Sequence, residues 1–187
     1  KMGLANLGET EVEGYDLTMR YSLPDTSIGA FTFVWDSTYM SSYRTKATPE
    51  ADWDASEVGT YVKDTPIWRI RSNLTANWTY GDFGLTWTTR YFSSLVENCK
   101  YPTVAALCSD PNRVTASGKD PQNKLAATTY HDLQARYNVP WNATVSVGVN
   151  NVFAKEPPVA TQAFANNFDY QYDTPGRYYY MEYRQRF

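Results

Sequence analysis

The sequence predicts an all-β fold, and more narrowly an antiparallel transmembrane β-barrel to which this chain contributes about seven strands. Three observations support the prediction: a composition suited to strands, seven runs of alternating apolar and polar residues, and connections that alternate between short and long. The 187 residues include 16 Tyr, 8 Phe and 6 Trp, so that 16% of the chain is aromatic. Aromatic and β-branched residues are those that strands prefer.

The charge and hydropathy of the chain exclude two classes of protein. Seventeen basic and 20 acidic residues give a net charge of −3, which offers no basic surface for nucleic acid, so no nucleic-acid partner is expected. No apolar run reaches 18 residues, which predicts that no helix crosses a membrane. The mean hydropathy of −0.56 still permits a membrane barrel, because only alternate residues of its strands touch lipid.

Alternation with a period of two residues, which distinguishes strands from helices, recurs seven times. In one run Trp68, Ile70 and Leu74 share a face opposite Arg69 and Arg71. Each run has one apolar and one strongly polar face, as in an antiparallel sheet with one side in water. The seven runs span residues 15–23, 31–39, 68–78, 83–91, 133–139, 145–149 and 179–187.

The connections between these runs alternate in length. Short ones are predicted at about 24–27, 80–82 and 140–142, and long ones at about 44–65, 93–127 and 154–175. Transmembrane β-barrels have short periplasmic turns and long extracellular loops, so the pattern favours a barrel with the C-terminus in the periplasm. A soluble, secreted β-sandwich with aromatic strand faces, acting as a binding module, is the alternative from a different class.

Seven strands do not make a bacterial barrel, since single-chain barrels have even numbers of strands. An open sheet in lipid would also leave the N–H and C=O groups of its edge strands unsatisfied. Residues 1–187 are therefore predicted to form one segment of a larger barrel domain.

Two motifs resemble a known family. "GVNNVFAKEPP", residues 148–158, resembles the penultimate strand and following loop of TonB-dependent outer-membrane receptors. "YDTPGRYYYMEYRQRF", residues 172–187, resembles their final strand. The stretches 6–16 and 132–142 are also similar to strands of this family. The motif residues are Asn151, Phe153, Pro157, Pro158, Gly176 and Arg177.

The resemblance implies the C-terminal part of a barrel expected to have 22 strands, whose N-terminal plug and earlier strands are not in this sequence. It implies an active transport receptor in the outer membrane of a Gram-negative bacterium. The cargo would be a scarce nutrient taken up with energy from the TonB system: a ferric siderophore first, with haem, cobalamin or an oligosaccharide as alternatives. A passive outer-membrane channel or a structural barrel remains the other membrane interpretation.

The same resemblance implies several partners. These are outer-membrane lipid and lipopolysaccharide, the TonB complex acting through the plug, the barrel-assembly machinery and a small-molecule nutrient. Tyr183 and the terminal Phe187 are expected to form the signal that the barrel-assembly machinery recognises. Deleting Phe187 should then lower the yield of heat-modifiable barrel in the outer membrane, and an unchanged yield would count against that role.

No catalytic or metal-binding pattern is present. The sequence contains no GxSxG, HExxH or CxxC motif, and His131 is its single histidine. No enzyme, cofactor or metal site is predicted.

The candidate ligand contacts lie in the long loops and on the polar strand faces. The polar-face arginines admit two interpretations: they attract an anionic ligand, or they pair with carboxylates such as Asp132 and Glu182. Aromatic side chains of the loops could stack on a ligand or pack within the loops. The ligand-contact candidates are Tyr101, Phe164, Phe168, Tyr170 and Arg136.

Cys99 and Cys108 are the two cysteines of the chain and fall in the longest loop. They favour a disulfide that closes part of this loop, which implies an oxidising compartment; two unpaired thiols are the alternative. The masses of the alkylated protein with and without reductant distinguish the two.

Overall fold

The computed structural model describes residues 8–62, 64–99, 109, 114–115, 118–119, 122–163, 168–173 and 176–186. Within these residues it contains thirteen β-strands and no α-helix, and so no helix that could cross a membrane. The strands are β1 (Glu9–Ser22), β2 (Ala30–Lys46), β3 (Thr60–Val62), β4 (Thr65–Ile67), β5 (Ile70–Tyr80), β6 (Phe83–Phe92), β7 (Leu95–Asn98), β8 (Val114–Thr115), β9 (Gly118–Lys119), β10 (Gln122–Leu125), β11 (Thr128–Val139), β12 (Ala143–Asn150) and β13 (Tyr178–Gln185).

Seven long strands form one antiparallel sheet in the order β1-β2-β5-β6-β11-β12-β13. They correspond one to one with the seven alternating runs, which confirms that part of the prediction. Trp68 is the exception: it precedes β5 and is buried beside Arg71 instead of sharing the apolar face of Ile70 and Leu74. Every neighbouring pair is antiparallel. The sheet is open, with β1 and β13 at its edges.

One face of this sheet is apolar and is not covered by the described chain. Residues in register form apolar rows across the strands, and their large side chains, such as Tyr21 and Tyr179, are exposed. The chain thus leaves this face free to contact lipid, as the outer face of a membrane barrel does. One row runs through all seven strands: Tyr21, Phe33, Ala76, Trp87, Leu133, Val149 and Tyr179.

Aromatic and charged side chains limit the apolar face at its two ends. Beside the short turns, Phe83 contacts Tyr137 with ring centroids 4.7 Å apart, and Trp141 donates to the Tyr183 hydroxyl at 3.2 Å. At the other end Tyr15 stacks on Tyr39. The ten residue steps of β5 span about 25 Å along the barrel axis, at ~3.4 Å per residue and a tilt of about 40°, which matches the apolar band of such barrels.

Beyond the Tyr15–Tyr39 pair, the same face of β1 and β2 becomes charged. Glu9 pairs with Lys46 at 3.0 Å, Glu11 pairs with Arg44, and both cations lie over the ring of Trp53. Charges of this kind belong in the headgroup region and not in hydrocarbon. The apolar band therefore ends at this level.

The opposite face of the sheet is polar, and side chains of neighbouring strands form hydrogen bonds across it. Thr18 and Thr38 donate to Asp36 and Asp16 at 2.8 and 2.6 Å. Gly148 leaves room for the Tyr180 ring, which would collide with any side chain at position 148. Such a face suits a water-exposed barrel lumen.

The long connections are more ordered than the sequence predicted. β2 continues to Lys46, beyond the predicted loop start at residue 44. The predicted 44–65 and 93–127 loops contain the short strands β3, β7, β8, β9 and β10, and β4 begins at the last residue of the first loop and extends to Ile67. Four of these form a second sheet in the order β10-β7-β3-β4. We call the described residues of the three connections 47–69, 93–127 and 151–177 the loop layer.

The buried core lies in the loop layer and at the adjacent end of the main sheet. Leu95, Leu125 and Tyr130 are completely buried there. This placement is expected because a barrel wall exposes one face to lipid and the other to the lumen, so that its only protein-covered apolar surface is beneath the loops. The full cluster is Tyr61, Trp68, Phe92, Leu95, Leu125, Tyr130, Ala160, Ala163 and Tyr172.

Candidate functional site

An arginine on the polar face joins the barrel wall to the third long connection. The Arg90 Nε atom donates to Asp132 Oδ2 at 2.8 Å, and its Nη1 atom donates to Asp173 Oδ1 at 3.0 Å. Asp132 belongs to the neighbouring strand β11, whereas Asp173 belongs to the loop layer. The ion-pair interpretation of the polar-face arginines is therefore confirmed for Arg90. It is also confirmed for Arg184, which pairs with Glu182 at 2.7 Å.

A buried carboxylate joins the second and third connections. Glu97 on β7 is only 2% exposed. It accepts hydrogen bonds from the Asn123 Nδ2 atom at 2.7 Å, from the Thr161 amide at 2.6 Å and from the Gln162 amide at 3.1 Å. The Thr161 hydroxyl donates as well, at 3.0 Å. Four donors offset the cost of burying this charge, so Glu97 holds residues 161–162 against the second sheet.

A tyrosine joins the first and third connections. The Tyr61 hydroxyl donates to Asp169 Oδ2 at 3.2 Å. Burial raises the pKa of Tyr61 well above its ordinary value, and the nearby Asp169 carboxylate raises it further. The phenol thus stays a neutral donor. Its contribution to stability is fully present below the ordinary tyrosine pKa of about 10 and is lost as the pH rises through the raised value.

Aromatic stacking completes the packing of the loop layer. Trp68 lies edge-on to Tyr172, with ring centroids 5.6 Å apart, and its Nε1 atom donates to the Tyr172 hydroxyl at 3.3 Å. Burial raises the pKa of Tyr172. All three connections therefore contribute to one packed unit at one end of the polar face.

A cavity of about 380 Å³ lies between this unit and the wall. Its lining includes the wall residues Thr38, Arg71 and Asn73, together with Trp68 and Gln171 from the loop layer. The Arg71 guanidinium lies over the rings of Trp68 and Phe92, 5.0 and 5.3 Å from their centroids. We refer to this space as the Arg71 cavity.

The predicted ligand contacts are not all brought together. Tyr170 is 82% exposed and Phe168 is half-buried, both in the loop layer. Arg136 lies near the short-turn end of the sheet, where its side chain covers Gly84. Eight residue steps of β11, roughly 25 Å, separate Arg136 from the loop end. The remaining two candidates, Tyr101 and Phe164, lie outside the described residues.

The family-motif residue Asn151 has a structural role in the turn that ends β12. It adopts a left-handed backbone (φ 54°), a conformation that asparagine tolerates better than most residues. Its side chain donates to the Lys155 carbonyl at 2.9 Å and accepts from the Lys155 amide at 2.8 Å. The Asn151 amide also donates to Asp132 at 2.8 Å. The turn is thereby tied to the Arg90 network.

The other motif residues surround this turn. Phe153 packs against His131 and Trp87 on the apolar face, at 5.2 and 6.2 Å between centroids. Pro157 and Pro158 are half-buried in the loop layer. Arg177 donates to the Val152 carbonyl at 2.8 Å. Gly176 has a φ of 65°, which a residue with a side chain rarely adopts.

Of Cys99, Cys108 and Phe187, only Cys99 belongs to the described residues. Cys99 is buried at the end of β7, whereas Cys108 and Phe187 lie outside the described residues. The Cys99–Cys108 disulfide and the assembly role of Phe187 therefore stay predictions. Among the described residues, no group of three or more His, Cys, Asp or Glu side chains is placed to hold a metal ion.

Arg71, Glu97, Asp169 and Asp173 were not predicted as site residues. Glu97 and Asp169 lie in polar loop stretches without periodicity, so no local signal marks them. Arg71 was recognised only as one of several polar-face arginines. What distinguishes Arg71 in the structure is its position over the rings of Trp68, from the loop layer, and Phe92, from β6.

Comparisons with known proteins agree with this architecture. A variant of the ferric enterobactin receptor from Pseudomonas aeruginosa has a similar structure, with a TM-score of 0.51 and 20% sequence identity. The alignment covers 92% of this chain but only 22% of that receptor, so the chain spans about a fifth of its length. A second variant of the same receptor, in complex with enterobactin, gives a TM-score of 0.48 and 19% identity over the same shares.

The sequence itself identifies the family. No match to a curated protein sequence is found. Residues 2–152, well over half of the chain, match the family described as TonB dependent receptor-like, beta-barrel. The seven-stranded antiparallel sheet, with one apolar and one polar face, is what a segment of such a barrel requires. The chain belongs to the TonB-dependent receptor β-barrel family and forms part of its transmembrane barrel.

Proposed function

We propose that this chain is the C-terminal part of an outer-membrane receptor that actively imports a scarce nutrient, with a ferric siderophore as the first candidate. Family membership supports an outer-membrane receptor of a Gram-negative bacterium. The solved relative with the higher TM-score is a ferric enterobactin receptor, which makes a ferric chelate the natural first cargo to test.

The single observation that carries the proposal is the packed loop layer over one end of the polar face. A passive pore needs an open mouth, whereas here all three connections are tied together by Glu97, Asp169 and the Arg90 network. A receptor that captures a dilute ligand before translocation benefits from such a preorganised surface. Haem, cobalamin and oligosaccharides stay as alternative cargoes.

Uptake measurements test this proposal. Cells of the native host lacking the intact receptor should lose uptake of radiolabelled ferric enterobactin, and so should cells lacking TonB. Haemin, cobalamin and a maltooligosaccharide are measured in parallel to identify the cargo. Uptake that needs the receptor but continues without TonB would instead establish a passive channel. If no member of the panel requires the receptor, the proposed nutrient classes are wrong.

The proposed orientation places the loop layer outside the cell and the short turns in the periplasm. Tyr170→Cys in the loop layer should react with a membrane-impermeant maleimide on intact cells. Asp82→Cys, in an exposed short turn, should react only after lysis, and the opposite pattern would invert the orientation. In the unmodified receptor Cys99 and Cys108 should react only after reduction.

The remaining proposed partners follow from this placement. The apolar face would contact outer-membrane lipid and, above the Tyr15–Tyr39 level, lipopolysaccharide. The plug of the intact receptor would fill the space beside the polar face and connect it to the TonB complex. Tyr183, exposed on the last strand, and Phe187 would be read by the barrel-assembly machinery.

A further inference from the structure

We propose that the Arg71 cavity is a binding site for small amphipathic carboxylates. The inference rests on the proposed function in one respect only: the cavity must open toward the lumen of the intact receptor. The cavity volume of about 380 Å³ lies within the range of small-molecule sites, roughly 300–1,000 Å³.

The charge of Arg71 is available to a ligand. In the part of the chain that the structure describes, no carboxylate lies within ion-pair distance of the Arg71 guanidinium, whereas Arg44 and Arg184 each pair with one carboxylate and Arg90 pairs with two. The Arg71 guanidinium carbon lies 5.0 and 5.3 Å from the centroids of the Trp68 and Phe92 rings. Cation–π contacts of this kind hold a guanidinium in place while leaving N–H donors available for an anion.

The remaining lining of the cavity suits an apolar body that carries one anionic group. Apart from Arg71 the polar side chains of the cavity are mostly neutral, and Met40, Pro66 and Ile67 add apolar surface. One carboxylate, Asp36, also lines the cavity, where it accepts a hydrogen bond from Thr18. The β2 residue in register with Arg71 is Thr38, not Asp36. A single available cation on a largely apolar wall fits one anionic group attached to an apolar body.

The shape of the guanidinium favours a carboxylate as the anionic group. The N–H groups of a guanidinium form a planar fork that matches the two oxygens of a carboxylate. Because the two ring contacts restrict the Arg71 side chain, a carboxylate meets a partly immobilised fork. An aromatic carboxylate can in addition lie against the apolar lining.

Benzoate and its uncharged isostere benzamide test the site directly. Saturation-transfer NMR on the intact receptor in detergent should show binding of benzoate and at least about tenfold weaker binding of benzamide, because a charge-assisted pair typically contributes that much. Arg71→Gln should remove the preference for benzoate. Arg20→Gln, at a polar-face arginine that does not line the cavity, should leave it unchanged.

Three results would overturn the inference: no binding of benzoate, equal binding of the two probes, or unchanged preference in Arg71→Gln. If the glutamine variant does not fold, as judged by heat-modifiable migration, Arg71→Lys takes its place. Lysine keeps the charge but loses the fork, so it should reduce the preference severalfold, and full retention counts against the site. Failure of TonB-dependent uptake with benzoate binding intact would refute the transport proposal and leave this site standing.

Discussion

Replacing Glu97 with glutamine is expected to release the third long connection from the second sheet while leaving the barrel wall folded. The carboxylate receives four hydrogen bonds and is 2% exposed. Glutamine has the same shape, but its NH₂ group must face at least one of these donors, and its oxygen is uncharged. We expect a loss of about 2–4 kcal/mol in the stability of the loop layer.

Hydrogen exchange on the intact receptor measures the local stability of residues 161–162, which Glu97 anchors. The amides of Thr161 and Gln162 donate to Glu97 and should lose protection by orders of magnitude in Glu97→Gln. Amides of β11 and β12 should keep their protection, because their partners are backbone carbonyls of neighbouring strands. Glu156→Gln makes the same change at an exposed residue of the same connection and should have no effect. Equal protection in the two variants would contradict the anchoring role of Glu97.

The strands of the barrel wall could be predicted because the face on which each wall residue lies follows from its position in the alternation. Lipid on one side and water on the other impose strict alternation. Tyr179 and Met181 could therefore be assigned to one face, and Tyr180 and Glu182 to the other, without knowing which strands lie beside them. The extension of β2 beyond its predicted end has a local cause. Ser41 has no partner on β1 where the register shifts between Glu13 and Gly14, so the alternation stops at Tyr39 although β2 continues.

The loop layer could not be predicted because long-range contacts hold it together. The Tyr61–Asp169 hydrogen bond joins residues 108 positions apart, and the Trp68–Tyr172 bond spans 104. Strands of three residues, such as β3 and β4, are too short to show a period. The sequence therefore located the loops but indicated neither their second sheet nor the carboxylates that tie them.

These two kinds of structure have different roles in the proposed receptor. The wall is defined by backbone pairing and tolerates many side chains on each face. The loop layer depends on a few buried polar groups, whose loss is costly because a partner is left unsatisfied. Substitutions that alter ligand capture without preventing barrel assembly should therefore be concentrated at the loop layer and at Arg90, where the two parts meet.

Arg90→Met should be the most damaging single change at this junction. Methionine leaves Asp132 and Asp173 as two unpaired carboxylates, each with a side chain only about a fifth to a quarter exposed. Breaking a buried pair typically costs 3–5 kcal/mol; with partial exposure taken into account, we expect about 2–4 kcal/mol. Asp132 also supports the Asn151 turn, so its unpaired charge should loosen both ends of the third connection.

Comparison with Asp173→Asn and Arg184→Met separates this network from a general effect of lost charge. Asp173→Asn leaves Arg90 paired with Asp132 and should cost less than Arg90→Met. Combining the two changes should cost less than their sum, because the double variant no longer holds Asp173 as an unpaired charge.

Arg184→Met breaks an ion pair whose side chains are 69% and 46% exposed and should change stability by at most about 1 kcal/mol. Thermal loss of the compact, heat-modifiable form and protease cleavage of the loop layer report these differences. If Arg90→Met behaves like Arg184→Met in both measurements, Arg90 does not join the wall to the loops.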